Sequence, residues 1–174
     1  MPKEWRSRAA GLEMRLLLQF VRVVALGGWV GSTVYFAAVV TEGAFAVLPS
    51  PDQAGRLVGF TLGGLHGLGL VAAAIFVIAS VVLAKGLRAF FKPTVAVVIL
   101  MALLTMASQY HVMPQMTRLR SQMGSVDQTP RSDPHRVEFD RLHKTSVEIE
   151  GSVLLLGLIA LFLTLREDRS PAEN

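Results

Sequence analysis

The sequence predicts an all-α integral membrane protein, built as an up-down bundle of four helices. The chain is 52% hydrophobic and only 17% charged, with a mean hydropathy of +0.48, whereas soluble domains usually carry about 25% charged residues. Four long apolar stretches follow one another, each close to the roughly 20 residues that a bilayer-spanning helix needs. Proline, glycine and charged residues separate these stretches.

Composition also limits the classes of function. We expect a single domain over residues 12–166, with polar tails at 1–11 and 167–174. The chain has no cysteine, which excludes disulfides, thiolate zinc sites and cysteine nucleophiles. The pI is near 10, but the basic residues flank apolar stretches and form no dense patch. The lipid bilayer is therefore the expected partner, and nucleic acid is not.

The first predicted span covers about residues 16–40. Arg15, Gln19 and Arg22 share one face at its start, where long basic side chains are expected to snorkel to the membrane interface. Two pairs of small residues spaced four apart would let another helix approach closely. These pairs are Gly27 with Gly31, and Gly28 with Ser32.

The second predicted span covers about residues 57–84, in a helix for which Asp52 is the expected N-cap. A glycine recurs at every fourth position from residue 55 to residue 67, which makes a glycine stripe along one helix face. Such a stripe is typical of close packing against a neighbouring helix. His66 lies within about 60° of the stripe on a helical wheel.

The third span is predicted at about residues 94–112, directly after Pro93, and residues 115–132 are expected to form a loop that is helical in part. The sequence Ser132-Asp133-Pro134 is a good helix start, because a capping side chain precedes a proline in the first turn. The fourth helix should therefore begin near residue 133 and cross the membrane at about 145–165.

The basic residues predict an orientation. The N-terminal segment, the Lys85–Lys92 connection and the C-terminal tail lie on one side of an up-down bundle, which favours both termini in the cytoplasm (N-in/C-in). The basic residues of the segment 115–144 oppose this assignment, but acids accompany them. We expect the bacterial inner (cytoplasmic) membrane.

Polar side chains converge on the opposite side of the predicted bundle. On the fourth helix, Phe139, His143, Ser146 and Glu150 share one face, and ionisable groups inside a membrane helix are candidates for function. Three other candidates come from the other helices: Glu42, His66 and Gln109. Glu42 and Gln109 are also explained as interfacial residues, His66 as a helix–helix hydrogen bond, and Trp29 as packing.

These residues also carry a family resemblance. The fourth-helix signature of the transmembrane protein 205-like family, catalogued as domain of unknown function 4149, is similar to the pattern Phe139-x-x-Leu142-His143-x-x-Ser146-x-x-x-Glu150. The segment around Trp29 and the third-helix exit around Gln109 and Pro114 resemble that family too. The resemblance covers about residues 12–165 and implies a four-helix integral membrane protein without a defined activity. Glu150 stands where the family usually has asparagine.

Three functional hypotheses follow. In the first, a polar intramembrane site handles protons, metal ions or a small solute: His143 relays a proton, Glu150 supplies charge and Ser146 orients either. In the second, the chain is a haem or metal oxidoreductase with His66 and His143 as ligands. In the third, it is a structural subunit that binds copies of itself or a membrane protein partner. No nucleotide-binding loop or hydrolase motif indicates a soluble-type active site.

Overall fold

The computed structural model describes the backbone of residues 3–169 and the side chains of residues 9–167. All regular structure in this part of the chain is helical, which confirms the predicted fold class. Four helical stretches are long and apolar enough to cross a membrane: Ala9–Val47, Pro51–Leu83, Pro93–Met123 and Pro134–Glu167. Of the two predicted tails, residues 3–11 are helical, and residues 170–174 lie outside the described residues.

The first membrane helix is longer than its apolar stretch. It consists of α1 (Lys3–Tyr35), a π-helical turn (Phe36–Thr41) and α2 (Glu42–Val47). The helix continues past residue 40 because no proline interrupts it before Pro49. Inside the π turn, the Thr41 hydroxyl donates to the carbonyl oxygen of Phe36 at 3.1 Å.

The second membrane helix is α3 (Pro51–Leu83), and its cap differs from the prediction. Ser50, not Asp52, is the N-cap: its hydroxyl accepts from the backbone N–H of Gln53 at 3.3 Å, and Pro51 occupies the first turn. Asp52 therefore lies inside the helix. The connection to the next helix turns at Gly86, whose φ of +143° favours glycine.

The third membrane helix also extends beyond its predicted span. It consists of α4 (Pro93–Ala107), a second π turn (Ser108–Val112) and α5 (Met113–Met123). Half of the predicted loop is therefore helix. Pro114 supplies a physical reason for the π turn, because proline has no N–H to donate to the carbonyl four residues earlier.

The fourth membrane helix, α6 (Pro134–Arg169), begins where the sequence indicated. The Asp133 side chain accepts a hydrogen bond from the backbone N–H of His135 at 2.8 Å. The helix α1 packs on α3 and α6, and α4 packs on the same two helices. Consequently, α3 and α6 lie diagonally opposite each other. We call the end with residues 3 and 169 the termini side, and the end with residues 48–50 and 124–133 the loop side.

The apolar core occupies the termini half of the bundle, where side chains such as Leu26, Trp29, Phe76 and Met101 are buried together. Two glycines allow the helices to approach there. A Cβ at Gly69 would lie 2.5 Å from Cε2 of Trp29, and one at Gly157 would lie 2.6 Å from Cγ2 of Val30. Trp29 is thus a packing residue.

The small residues that the sequence singled out pack less tightly. Along the predicted stripe, a Cβ at Gly55 would meet Arg120 and one at Gly63 would touch Gln109, but no described side chain lies within 4 Å at Gly59 or Gly67. The stripe is therefore a helix contact at only two of its four positions. The glycines of α1 at 27, 28 and 31 have no such neighbour either.

Candidate functional site

His66 is the centre of the most polar part of the bundle interior. Its side chain is 2% exposed, and both ring nitrogens are engaged. Nδ1 lies 2.8 Å from Oε1 of Gln109 on the neighbouring third membrane helix. Nε2 lies 2.6 Å from Oε1 of Glu150. Because Glu150 belongs to α6, this second hydrogen bond crosses the diagonal of the bundle.

The hydrogen-bond partners limit where the protons of this triad can lie. In the orientation in which Oε1 of Gln109 faces the ring, the amide oxygen accepts a hydrogen bond from Nδ1 of His66. One further proton lies between Nε2 and the Glu150 carboxyl group, either on the ring or on the acid. The pair is an imidazolium–carboxylate in the first case and an imidazole–carboxylic acid in the second. Both forms are neutral overall, which lowers the free-energy cost of burying the pair in a membrane.

Local structure brings each member into place. Gln109 is the second residue of the π turn, a type of turn that frequently occurs at functional sites. Gly63 faces it, since a Cβ there would lie at ordinary contact distance, 3.9 Å, from Gln109 Oε1. Glu150 follows Ser146 by one turn on α6, and Ser146 is buried. The hydrogen bonds with Gln109 and Glu150 hold the His66 imidazole in one orientation.

The triad lies deep in the bundle. Along α3, His66 is about 14 Å from Leu57 and about 26 Å from Leu83, which bound the apolar stretch of this helix, at a rise of 1.5 Å per residue. A bilayer has a hydrocarbon core about 30 Å thick. His66 thus lies well away from both ends of the apolar segment, rather than near the interface.

The structure brings together only part of the predicted site. His66, Gln109 and Glu150 are in direct contact, and Ser146 is buried nearby. Glu42 is exposed on α2 and makes no contact with the triad. A position at the membrane interface therefore explains Glu42 better than a role in this site.

His143 also lies outside the triad. It is exposed, and its ring stacks parallel to Phe139 with 6.5 Å between centroids. The buried face of α6 runs through Phe139, Leu142 and Ser146, and His143 falls just beyond its edge. A helical wheel shows that residues share a broad face but not which of them a neighbouring helix covers.

Metal and haem ligation require a free donor atom. Among the described residues, no group of three or more His, Asp or Glu side chains is arranged to hold a metal ion. Both nitrogens of His66 are already hydrogen-bonded, and His143 is exposed. The two histidines are thus not arranged as a facing ligand pair.

The comparisons with known proteins give one match. The family described as Domain of unknown function (DUF4149) matches residues 24–125, which is more than half of the chain. The chain belongs to the DUF4149 family. No curated protein and no solved structure matches it.

The DUF4149 match begins within α1, at residue 24, and continues through the second and third membrane helices. It includes Trp29, His66 and Gln109 but ends before α6. The pattern Phe139–Glu150, which carried the resemblance to the transmembrane protein 205-like family, lies beyond the matched region, so that finer resemblance stays a prediction. Glu150 completes the triad from outside that region.

A second buried charge pair was not anticipated from the sequence. Arg22, predicted to snorkel, is only 1% exposed, and its Nη2 lies 3.2 Å from Oε2 of Glu167. The Thr94 hydroxyl donates to the same carboxylate, and Lys92 Nζ lies 3.6 Å from it. The guanidinium also stands 4.8 Å above the ring of Phe76. Glu167 lies beyond the predicted span, so no local pattern links it to Arg22.

Proposed function

We propose that this integral membrane protein takes up and releases a proton at the His66–Glu150 pair, within the bilayer. The observation that carries the proposal is the 2.6 Å contact between Nε2 and Oε1, made by a buried histidine across the bundle diagonal. Histidine changes charge near neutral pH, and a shared proton lets the pair remain neutral between transfers. The first hypothesis named protons, metal ions and a small solute. Of these, the residues of the triad support protons best.

Proton movement is tested in proteoliposomes that enclose a pH-sensitive dye. The wild type should dissipate an imposed pH gradient faster than empty liposomes do. Both His66→Leu and Glu150→Gln should reduce the rate to that of empty liposomes, because neither variant retains the exchangeable pair. Equal rates for the wild type and both variants would remove proton movement from consideration.

His143→Ala is the matched control for this assay. His143 is a histidine of the same chain that is exposed and outside the triad, so this variant should retain the wild-type rate. A loss of rate in His143→Ala alone would favour the earlier assignment, in which His143 is the relay.

Proton binding is measured separately by ¹⁵N NMR of histidine in nanodiscs. The chain has four histidines, and His111, His135 and His143 are exposed. Glu150→Gln should leave their signals unchanged, whereas the His66 signal should change. A His66 signal that Glu150→Gln leaves unmoved would show that no proton is shared.

The orientation and location remain part of the proposal. The termini side carries Arg15, Arg22, Arg88, Lys92 and Arg166, which supports N-in/C-in in the bacterial inner membrane. A C-terminal reporter that is active only in the cytoplasm tests this orientation. Activity of a periplasm-specific reporter at the same position would reverse it.

A second candidate function is self-association or binding of another membrane protein. A groove of about 800 Å³ lies between α1 and α3, and its lining includes Gly28, Gly31, Phe60 and Gly64. Small residues of this kind support close helix contacts in membranes. Gly31→Leu should lower the measured mass of the protein in detergent if a second copy occupies the groove, and a monomeric wild type would exclude that occupant.

A further inference from the structure

We propose that Arg120 closes the loop-side mouth of a polar route that runs along the glycine stripe of α3 to the His66–Glu150 pair. The inference rests on the proposed proton function, for which it supplies the entrance. Arg120 itself forms no hydrogen bond with the pair.

Arg120 spans the gap between two helices that do not pack on each other along their length. A Cβ at Gly55 of α3 would lie 2.8 Å from Nη2 of Arg120. On the other side, the guanidinium carbon stands 5.4 Å from the centre of the Phe139 ring of α6. The half-buried guanidinium thus fills the space between α3 and α6 at this level, and glycine at position 55 is what admits it.

The space opens one turn further into the bundle. At Gly59, no described side chain lies within 4 Å of the Cβ position. At Gly63, the next turn, Gln109 and Met113 line the stripe at 3.9 Å. Gln109 in turn contacts His66. The stripe therefore leads from Arg120, past an open turn, to the triad.

The opposite wall is formed by α6. Phe139 is at the level of Arg120, buried Ser146 lies about 10 Å further along the helix, and Glu150 follows about 6 Å after that, at 1.5 Å per residue. This is the buried face of α6. Both walls thus begin at the Arg120 contact and end at the pair.

A buried hydroxyl next to the triad supports a polar interior. Ser108 directly precedes Gln109, is fully buried, and its Oγ makes no hydrogen bond within the described part of the protein. A buried hydroxyl that the protein leaves unsatisfied carries a free-energy penalty unless water or a ligand reaches it. Access for water from the loop side would remove that penalty.

The chemistry of arginine suits a gate. Its guanidinium stays charged at every physiological pH and stacks on aromatic rings. Its long side chain can leave the Phe139 ring without any movement of the backbone. Arg120 therefore controls the access of water and protons to the pair without taking part in their transfer.

The absence of cysteine makes the route directly testable. Gly59→Cys in nanodiscs is treated with a charged, membrane-impermeant thiol reagent. Only an ionised thiol in contact with water reacts quickly, so Gly59→Cys should react at least about tenfold faster than a cysteine facing lipid. Gly67→Cys is the matched control, because Gly67 belongs to the same stripe but is exposed on the membrane-embedded surface beyond the triad.

The gate is tested by adding Arg120→Ala to Gly59→Cys. Labelling should become at least about threefold faster, whereas Arg120→Lys, which retains the charge but loses ring stacking, should give an intermediate rate. Equal labelling of Gly59→Cys and Gly67→Cys would overturn the route. An unchanged rate in Arg120→Ala would overturn the gate.

A second measurement covers the case in which Gly59→Cys does not fold. Exchange of the His66 Nδ1 hydrogen for deuterium, followed by NMR, should be faster in Arg120→Ala than in the wild type, and equal exchange would contradict the gate. Labelling reports access whether or not the pair titrates, while the His66 titration reports proton binding whatever the route. The two proposals can therefore fail independently.

Discussion

Two partly buried acids of α6 form different kinds of ion pair. Glu167 pairs with Arg22 near the termini side, and Glu150 pairs with His66 about 25 Å along the helix, at 1.5 Å per residue. Arginine cannot lose its proton in a protein, so the first pair is permanently ionic. Histidine can, so the second pair can exchange a proton. Under the proposed function, the partner of each glutamate, rather than the acid itself, distinguishes an ion pair that stabilises the bundle from a pair that exchanges a proton.

The surroundings of the two pairs differ in the same way. Around Arg22, the interior is apolar and tightly packed, with Phe76 under the guanidinium and Trp29 pressed against Gly69. Around His66, buried polar groups are frequent and include Thr105, Ser108 and Ser146. The interior of the termini half is thus apolar and closely packed, whereas that of the loop half contains many polar groups.

The largest expected effect comes from breaking the permanent pair. Arg22→Ala should lower the free energy of unfolding by about 3–5 kcal/mol, because it leaves a partly buried carboxylate without its main counter-charge. Reversible unfolding of the protein in detergent measures this change. The double variant Arg22→Met with Glu167→Leu should recover most of the loss, and a double variant as unstable as Arg22→Ala would contradict the assignment.

Tight packing of the termini half predicts the next effect. Gly69→Ala should destabilise by about 1–3 kcal/mol, because its methyl group would overlap the Trp29 ring. Gly67→Ala is the control: no described side chain lies near that Cβ, and alanine is the better helix former by about 1 kcal/mol. The two melting temperatures should therefore shift in opposite directions. Equal shifts would mean that the Trp29 contact does not limit packing.

The His66–Glu150 pair should contribute less to the free energy of unfolding than the Arg22–Glu167 pair. Glu150→Leu should destabilise by about 1–2 kcal/mol, since it leaves His66 Nε2 without its partner. Glu150→Gln should change stability by less than about 1 kcal/mol, because the amide can donate to the neutral ring. The same unfolding assay checks both variants. If glutamine proves as damaging as leucine, the charge of Glu150 holds the bundle together, and the contrast with Glu167 disappears.

The smallest effect is expected at His143. His143→Ala removes an exposed ring that stacks on Phe139, so the free energy of unfolding should change by no more than about 0.5 kcal/mol. Unfolding in detergent and the His66 NMR signal should both remain close to the wild type. A displaced His66 signal would extend the site along α6 to His143.

The sequence predicted the membrane fold and half of the site for clear reasons. Composition and the length of the apolar stretches determine how many helices cross the bilayer. Periodicity placed Phe139, Ser146 and Glu150 on the buried face of α6. It also placed His143 there, because the wheel cannot show where the contact with a neighbouring helix ends.

The remaining features depend on tertiary contacts. Arg22 and Glu167 are distant in sequence, so only the folded bundle shows that the basic side chain turns inward. The glycines in closest contact, Gly69 and Gly157, are isolated in the sequence, whereas the conspicuous stripe is in contact at only some positions. Gln109 reaches His66 from a π turn, which helical periodicity does not reveal.

The π turn at Ser108–Val112 has a consequence for insertions and deletions in this helix. Its hydrogen bonds close one residue further along than those of an α-helix, so the turn holds one residue in excess. Removing one residue there would restore a regular helix while the faces of α4 and α5 kept their directions. A single-residue deletion in this turn could thus remove the amide partner of His66 without disturbing the rest of the bundle.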